Sequence, residues 1–185
     1  MKTDLVFFEL DDLGKMLLHK IALDLNDSIA KYDDTVKHLA LMFLGVAPIT
    51  DLKCPPGYKP VEAMQLSFYI DDVPDEPEHL KDEVGRSHSM VNMVLLKNED
   101  TKSILITVEI SSIGIVIDVA VGCKWDSRKQ SDVVRYTIDV WANHKPVDSD
   151  ALIHDPLYKF TVENVRKSSA DILERALIGH WTDSD

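Results

Sequence analysis

The sequence predicts a two-layer α+β domain, with a mainly antiparallel meander of about five strands and the N-terminal and C-terminal helices packed on one face. Two observations carry this expectation. The middle of the chain alternates apolar and polar residues with period two, whereas both ends repeat apolar residues at spacings of three and four. A third, the shortness of the links between neighbouring strand segments, favours antiparallel pairing of consecutive strands.

The clearest segment is a hairpin from Ser103 to Cys123. Ile104, Ile106, Val108 and Ile110 alternate with Leu105, Thr107 and Glu109. After the loop 111–114 come Ile115, Ile117, Val119 and Val121, alternating with Val116, Asp118 and Ala120. Alternate side chains share a face, so each run has one wholly apolar side. A loop ending on Gly114 pairs Ile110 with Ile115, Val108 with Ile117 and Ile106 with Val119. A slip of one residue would turn Glu109 and Asp118 into the core, which fixes the register.

The flanking elements follow from similar patterns. Asp11 or Asp12 suits a helix cap before Leu13, Met16, Leu17, Ile21, Leu25 and Ile29. Leu5 to Leu10 fits either an extension of this helix or a short edge strand. Asp33, Asp34 or Thr35 then restarts a second helix through Val36, Leu39, Ala40, Phe43 and Val46, closing near Gly45 and Pro48. Pro55-Pro56-Gly57 marks a surface loop, and Met64, Leu66, Phe68 and Ile70 form the apolar side of a first strand. A second strand spans about His88 to Lys97, and Asn98-Glu99-Asp100 turns into the hairpin. A polar loop is expected over 122–132, then a strand with Val134, Tyr136, Ile138 and Val140. The last helix places Val162, Val165, Ser169, Ile172, Leu173, Ala176 and Leu177 on one side, with Gly179 as its closing residue. The expected organisation is a single domain over 1–185, with a helical part 11–47, a sheet 61–142 and a C-terminal helix 162–178.

Composition narrows function without naming it. Hydrophobic residues make up 45% and charged residues 28%, ordinary for a globular chain, and no apolar run is long enough to span a bilayer. The start, with Leu5 to Phe8 interrupted by Glu9, is too short for a signal peptide, so a cytoplasmic, reduced setting is expected. Cys54 and Cys123 match no disulfide or metal framework. A net charge of −12 argues against binding a nucleic-acid backbone and permits a basic protein partner. No phosphate-binding loop, nucleophile elbow or paired histidine motif occurs, and no cofactor is expected.

Three groups of residues stand out as candidate sites. Glu109, Asp118 and Asp139 fall on the sheet face away from the apolar core, where carboxylates on neighbouring strands sometimes hold a divalent metal. Arg135, Thr107 and Thr137 share that face, and an Asp118–Arg135 pair would make it a plain solvated surface. Asp71, Asp72, Asp75, Glu76 and Glu78 line a connection stiffened by Pro74 and Pro77, an acidic strip suited to a basic surface. Trp125, Trp141 and Trp181 lie outside the apolar faces, and Trp141 beside Leu105, Val116 and Ala120 would form an apolar patch that invites a partner. These features favour a non-enzymatic interaction protein, a subunit of an oligomeric assembly such as a viral or injection-machine particle. The alternatives are an acidic inhibitor or immunity-type protein that binds a basic enzyme, and a small metal-dependent hydrolase using the strand carboxylates.

Overall fold

A computed structural model describes residues 3–32, 36–45, 54–70, 87–110, 114–128, 130–142, 145–146, 156–175 and 179–180. It is α+β: an antiparallel meander of six long strands between an N-terminal and a C-terminal helix. Helix α1 (Thr3–Tyr32) precedes β1 (Val36–Phe43), β2 (Lys59–Ile70), β3 (Ser87–Asn98), β4 (Ser103–Ile110), β5 (Ile115–Asp126) and β6 (Ser131–Ala142). The two-residue strand β7 (Lys145–Pro146), helix α2 (Pro156–Leu173) and the two-residue strand β8 (Gly179–His180) follow. Each long strand pairs antiparallel with the next, β7 continues the meander on β6, and β8 joins β6 in parallel.

The central hairpin has the register that its alternation specifies: Ile110 faces Ile115, Val108 faces Ile117 and Ile106 faces Val119. Gly114 takes a left-handed conformation at φ 63°, as the end of that loop requires. Ile104, Ile106, Val108 and Ile110 of β4 and Ile115, Ile117, Val119 and Val121 of β5 are all buried. Leu66 and Phe68 of β2, and Val91, Met93 and Leu95 of β3, complete this face of the sheet. Leu17, Leu18, Ile21, Leu25 and Ile29 of α1 pack onto it, and Val162, Val165 and Leu173 of α2 extend the same core. At about 25 cal/mol per Å² of apolar surface, this one continuous core is the dominant stabilising contribution to the fold.

Polar contacts at the helix edges orient the two helices. Ser168 Oγ donates to Asp24 Oδ2 at 2.7 Å and Ser28 Oγ donates to Asn164 Oδ1 at 3.0 Å, tying α2 to α1. Lys97 Nζ donates to Asp11 Oδ2 at 2.7 Å, and His19 contacts Glu62, so α1 is also held to β3 and β2. Gly14 sits where α1 comes nearest to the sheet: a Cβ there would lie 3.0 Å from both Ile104 Cδ1 and Leu95 Cδ1.

Several expectations are corrected. Residues 36–43 form strand β1 rather than a second helix, so the sheet begins before residue 61. Val36, Leu39, Ala40 and Phe43 satisfy a helical spacing, but the same stretch pairs along β2 from Val36↔Ile70 to Phe43↔Met64, and that long-range pairing overrides the local pattern. Helix α1 runs through Asp11 and Asp12 instead of starting there, and includes Leu5 to Leu10. Met16 is exposed, because Leu17 and Leu18 occupy the buried arc one step further round. β5 continues to Asp126, which shortens the expected loop over 122–132 to a turn and places Trp125 on a strand. Helix α2 spans 156–173 rather than 162–178, with proline in its first turn, where a missing N–H costs nothing; Gly179 belongs to β8.

Candidate functional site

The second face of the sheet, away from the helices, holds the candidate residues that the structure describes. Strand register sets them in rows. Asp139, Asp118, Thr107, Val94 and Ala63 lie side by side across β6, β5, β4, β3 and β2. The adjoining rows run Trp141, Val116, Glu109, Asn92, Gln65 and Thr137, Ala120, Leu105, Leu96.

One half of this face is covered. Ala63, Val94 and Leu96 are buried beneath Leu44, Cys54 and Tyr58 and beside Leu105, a small second core. Tyr58 and Ser103 bond through their hydroxyls at 2.9 Å, and the Leu44 amide donates to the Ala63 carbonyl, fastening both flanks of this cover. Gln65 Nε2 donates to Asn92 Oδ1 at 2.8 Å, so that polar row is matched within itself. The other half, over β4 to β6, keeps Val116, Ala120, Leu105 and Trp141 partly exposed. The four residues expected to form one apolar patch fall instead in two separate pairs, Trp141 directly opposite Val116 and Leu105 directly opposite Ala120, with the Asp118 row between them.

Acidic groups interrupt that patch. Asp118 is half-buried, and burial pushes its carboxyl above the usual range, opposed by a hydrogen bond from Thr107 Oγ1 at 2.8 Å. The negative charge of Asp139 adds to the upward push. The indole N–H of Trp141 pulls weakly the other way, but Nε1 is buried without an acceptor in hydrogen-bond geometry, so its hold on Asp118 is loose. Asp139 is exposed and accepts a longer bond from Thr137 Oγ1 at 3.3 Å.

The expected Asp118–Arg135 neighbourhood does not form in this register. Arg135 faces Gly122, four residues along β6 from Asp139, and Asp118 takes Thr107 as its donor. Glu109, Asp118 and Asp139 share the face, with Glu109 diagonal to Asp118 across the hairpin. Among the described residues, no three His, Cys, Asp or Glu side chains are grouped to hold a metal ion. Asp71, Asp72, Asp75, Glu76, Glu78 and Trp181 lie outside the described residues. Cys54 and Cys123 are both free thiols. No described helix is long and apolar enough to cross a membrane.

A further feature escaped the sequence patterns. Met42 and Phe43, at the end of edge strand β1, are 41% and 63% exposed. Reading 36–46 as a helix put Phe43 on its buried side, and only the pairing with β2 reveals an edge that, among the described residues, has no second neighbour. Compared with known proteins, the sequence matches no protein-family model and no curated protein.

Proposed function

We propose that this is a protein-interaction protein acting as a subunit of an oligomeric assembly. The observation that carries the reading is the exposed pair Met42 and Phe43 on a strand that, among the described residues, pairs on one side only. Large apolar groups beside unpaired strand backbone are disfavoured on an isolated domain, because such an edge recruits further strands. The partly exposed pairs Trp141–Val116 and Leu105–Ala120 on the second sheet face support the same reading. In this proposal the acidic strip Asp71, Asp72, Asp75, Glu76 and Glu78 meets a basic surface of a neighbour, and no cofactor takes part. Sedimentation of the purified full chain tests it: a defined oligomer is expected, and a strict monomer at every concentration overturns it.

A further inference from the structure

We propose that β1 pairs antiparallel with β1 of a second copy of this chain, joining two sheets edge to edge about a two-fold axis. The inference rests on the assembly reading and names its interface. The two ends of the meander are treated differently. At one end β6 is flanked by β8 over Arg135 and Tyr136 and by β7 over Trp141 and Ala142; at the other, among the described residues, β1 pairs with β2 alone. Met42 lies in register with Gln65 and Phe43 with Met64, so the two exposed side chains belong to opposite faces of the sheet. A molecule docking on one face would cover only one of them. A strand added at the edge reaches both while satisfying the outward backbone groups.

Charge selects the occupant. The chain carries a net charge of −12, yet the β1 sequence VKHLALMF contains no carboxylate. Two copies approaching by this edge therefore bring no acidic side chains of β1 together, whereas most of the surface of so acidic a chain repels its own kind. Geometry agrees with a symmetric pair. A two-fold axis perpendicular to the sheet matches residues of the same face, and centring it on Leu41 sets Met42 against Ala40 of the other copy, a large side chain beside a small one. Such a contact is isologous and uses the β1 edge of both copies, so it closes at a dimer rather than growing into a fibre.

The test compares wild type with the double variant Met42→Lys/Phe43→Lys by sedimentation across a wide concentration range. Both side chains are exposed, so at concentrations where wild type is monomeric the two thermal unfolding curves should coincide. Wild type should sediment as a dimer, with those amides of residues 40–43 that point away from β2 gaining protection from hydrogen exchange as the dimer forms. The double variant should dissociate at least about tenfold more readily. Mixing Met42→Lys with Met42→Glu copies should restore pairing, because the opposite charges are diagonal neighbours across the axis. An oligomer that persists unchanged in the double variant overturns the β1 interface and leaves the assembly reading standing. A wild-type chain that stays monomeric overturns both.

Discussion

Asp118 and Asp139 stand directly opposite each other on β5 and β6, two carboxylates paired across one sheet face. Like charges in that position are destabilising, and burial already disfavours the charge on Asp118. The carboxyl of Asp118 therefore lies above its ordinary value of 3.8 in the folded chain. An acid held high binds its proton more readily folded than unfolded. Its penalty on stability is full at neutral pH and fades as pH falls through the raised folded value. Asp118→Asn keeps an acceptor for Thr107 and removes the repelled charge. The variant should be more stable at pH 7 by about 0.2–1 kcal/mol, with the gain vanishing in acid. Denaturant unfolding at both pH values checks it, and an Asn variant less stable at pH 7 would refute the account.

The link between the helices has the opposite sign. Burial pushes Asp24 up, but hydrogen bonds from Lys20 and Ser168, with the charges of Lys20 and Lys167, outweigh it and hold the carboxyl below 3.8. Its contribution is fully present above the unfolded value and is lost as pH falls through the lowered folded one. Asp24→Ala should cost about 1–3 kcal/mol, because the fully buried Ser168 hydroxyl loses its acceptor. Adding Ser168→Ala should recover part of that loss. A double variant no better than Asp24→Ala would show that the orphaned hydroxyl is not the cause.

Gly14 gives a test of the helix–sheet spacing. A glycine inside a helix ordinarily gains about 1 kcal/mol on replacement by alanine. Here any Cβ meets Ile104 and Leu95, whose side chains are both buried and cannot swing away into solvent. Gly14→Val should therefore destabilise by about 1–3 kcal/mol through overpacking, as read from the urea midpoint. A neutral Val variant would mean that α1 lifts off the sheet more easily than the packing implies.

How much of this was legible in the sequence depended on whether a residue's pattern had one solution. Ile104 to Val121 has a single register that keeps Glu109 and Asp118 out of the core, and that register is observed. The pairing of Leu105 with Ala120 on the second face follows from it, whereas that of Trp141 with Val116 is set by the separate register of β6 on β5. Val36 to Phe43 has two solutions, since its apolar residues fit either a helical or an extended stretch. The choice is made by β2, which offers an edge to pair with; that long-range partner leaves no local trace. Misreading β1 also concealed the exposure of Phe43. Asp118 and Arg135 failed as neighbours because strand register, not shared face, sets distance along a sheet.

The acidic strip yields a prediction about association rather than stability. Changing Asp71, Asp72, Asp75, Glu76 and Glu78 to Asn or Gln should leave the thermal midpoint nearly unchanged. It should slow assembly and flatten its dependence on ionic strength, because charges at an interface rim act mainly on encounter rates. Unfolding of the variant would assign the strip a structural role instead. Assembly rates unaffected at every ionic strength would remove it from the interface.

The cover over the second core is locked at the β3–β4 turn by Asn98. This side chain is buried, and its Oδ1 accepts from the amides of Asp100 at 3.0 Å and Thr101 at 3.1 Å, closing the turn. Gly57 approaches from the covering loop: a Cβ there would stand 2.7 Å from Asn98 Nδ2, and its φ of 81° is itself unfavourable for other residues. The two positions should therefore be sensitive for different reasons. Asn98→Ala leaves two amides without their acceptor and should cost about 1–3 kcal/mol. Gly57→Ala should destabilise through both backbone strain and the clash with Asn98. Pairing it with Asn98→Ala removes the clash but not the strain, so the double variant should lose less than the sum of the two singles. Strict additivity in urea unfolding would show that the loop and the turn do not bear on each other.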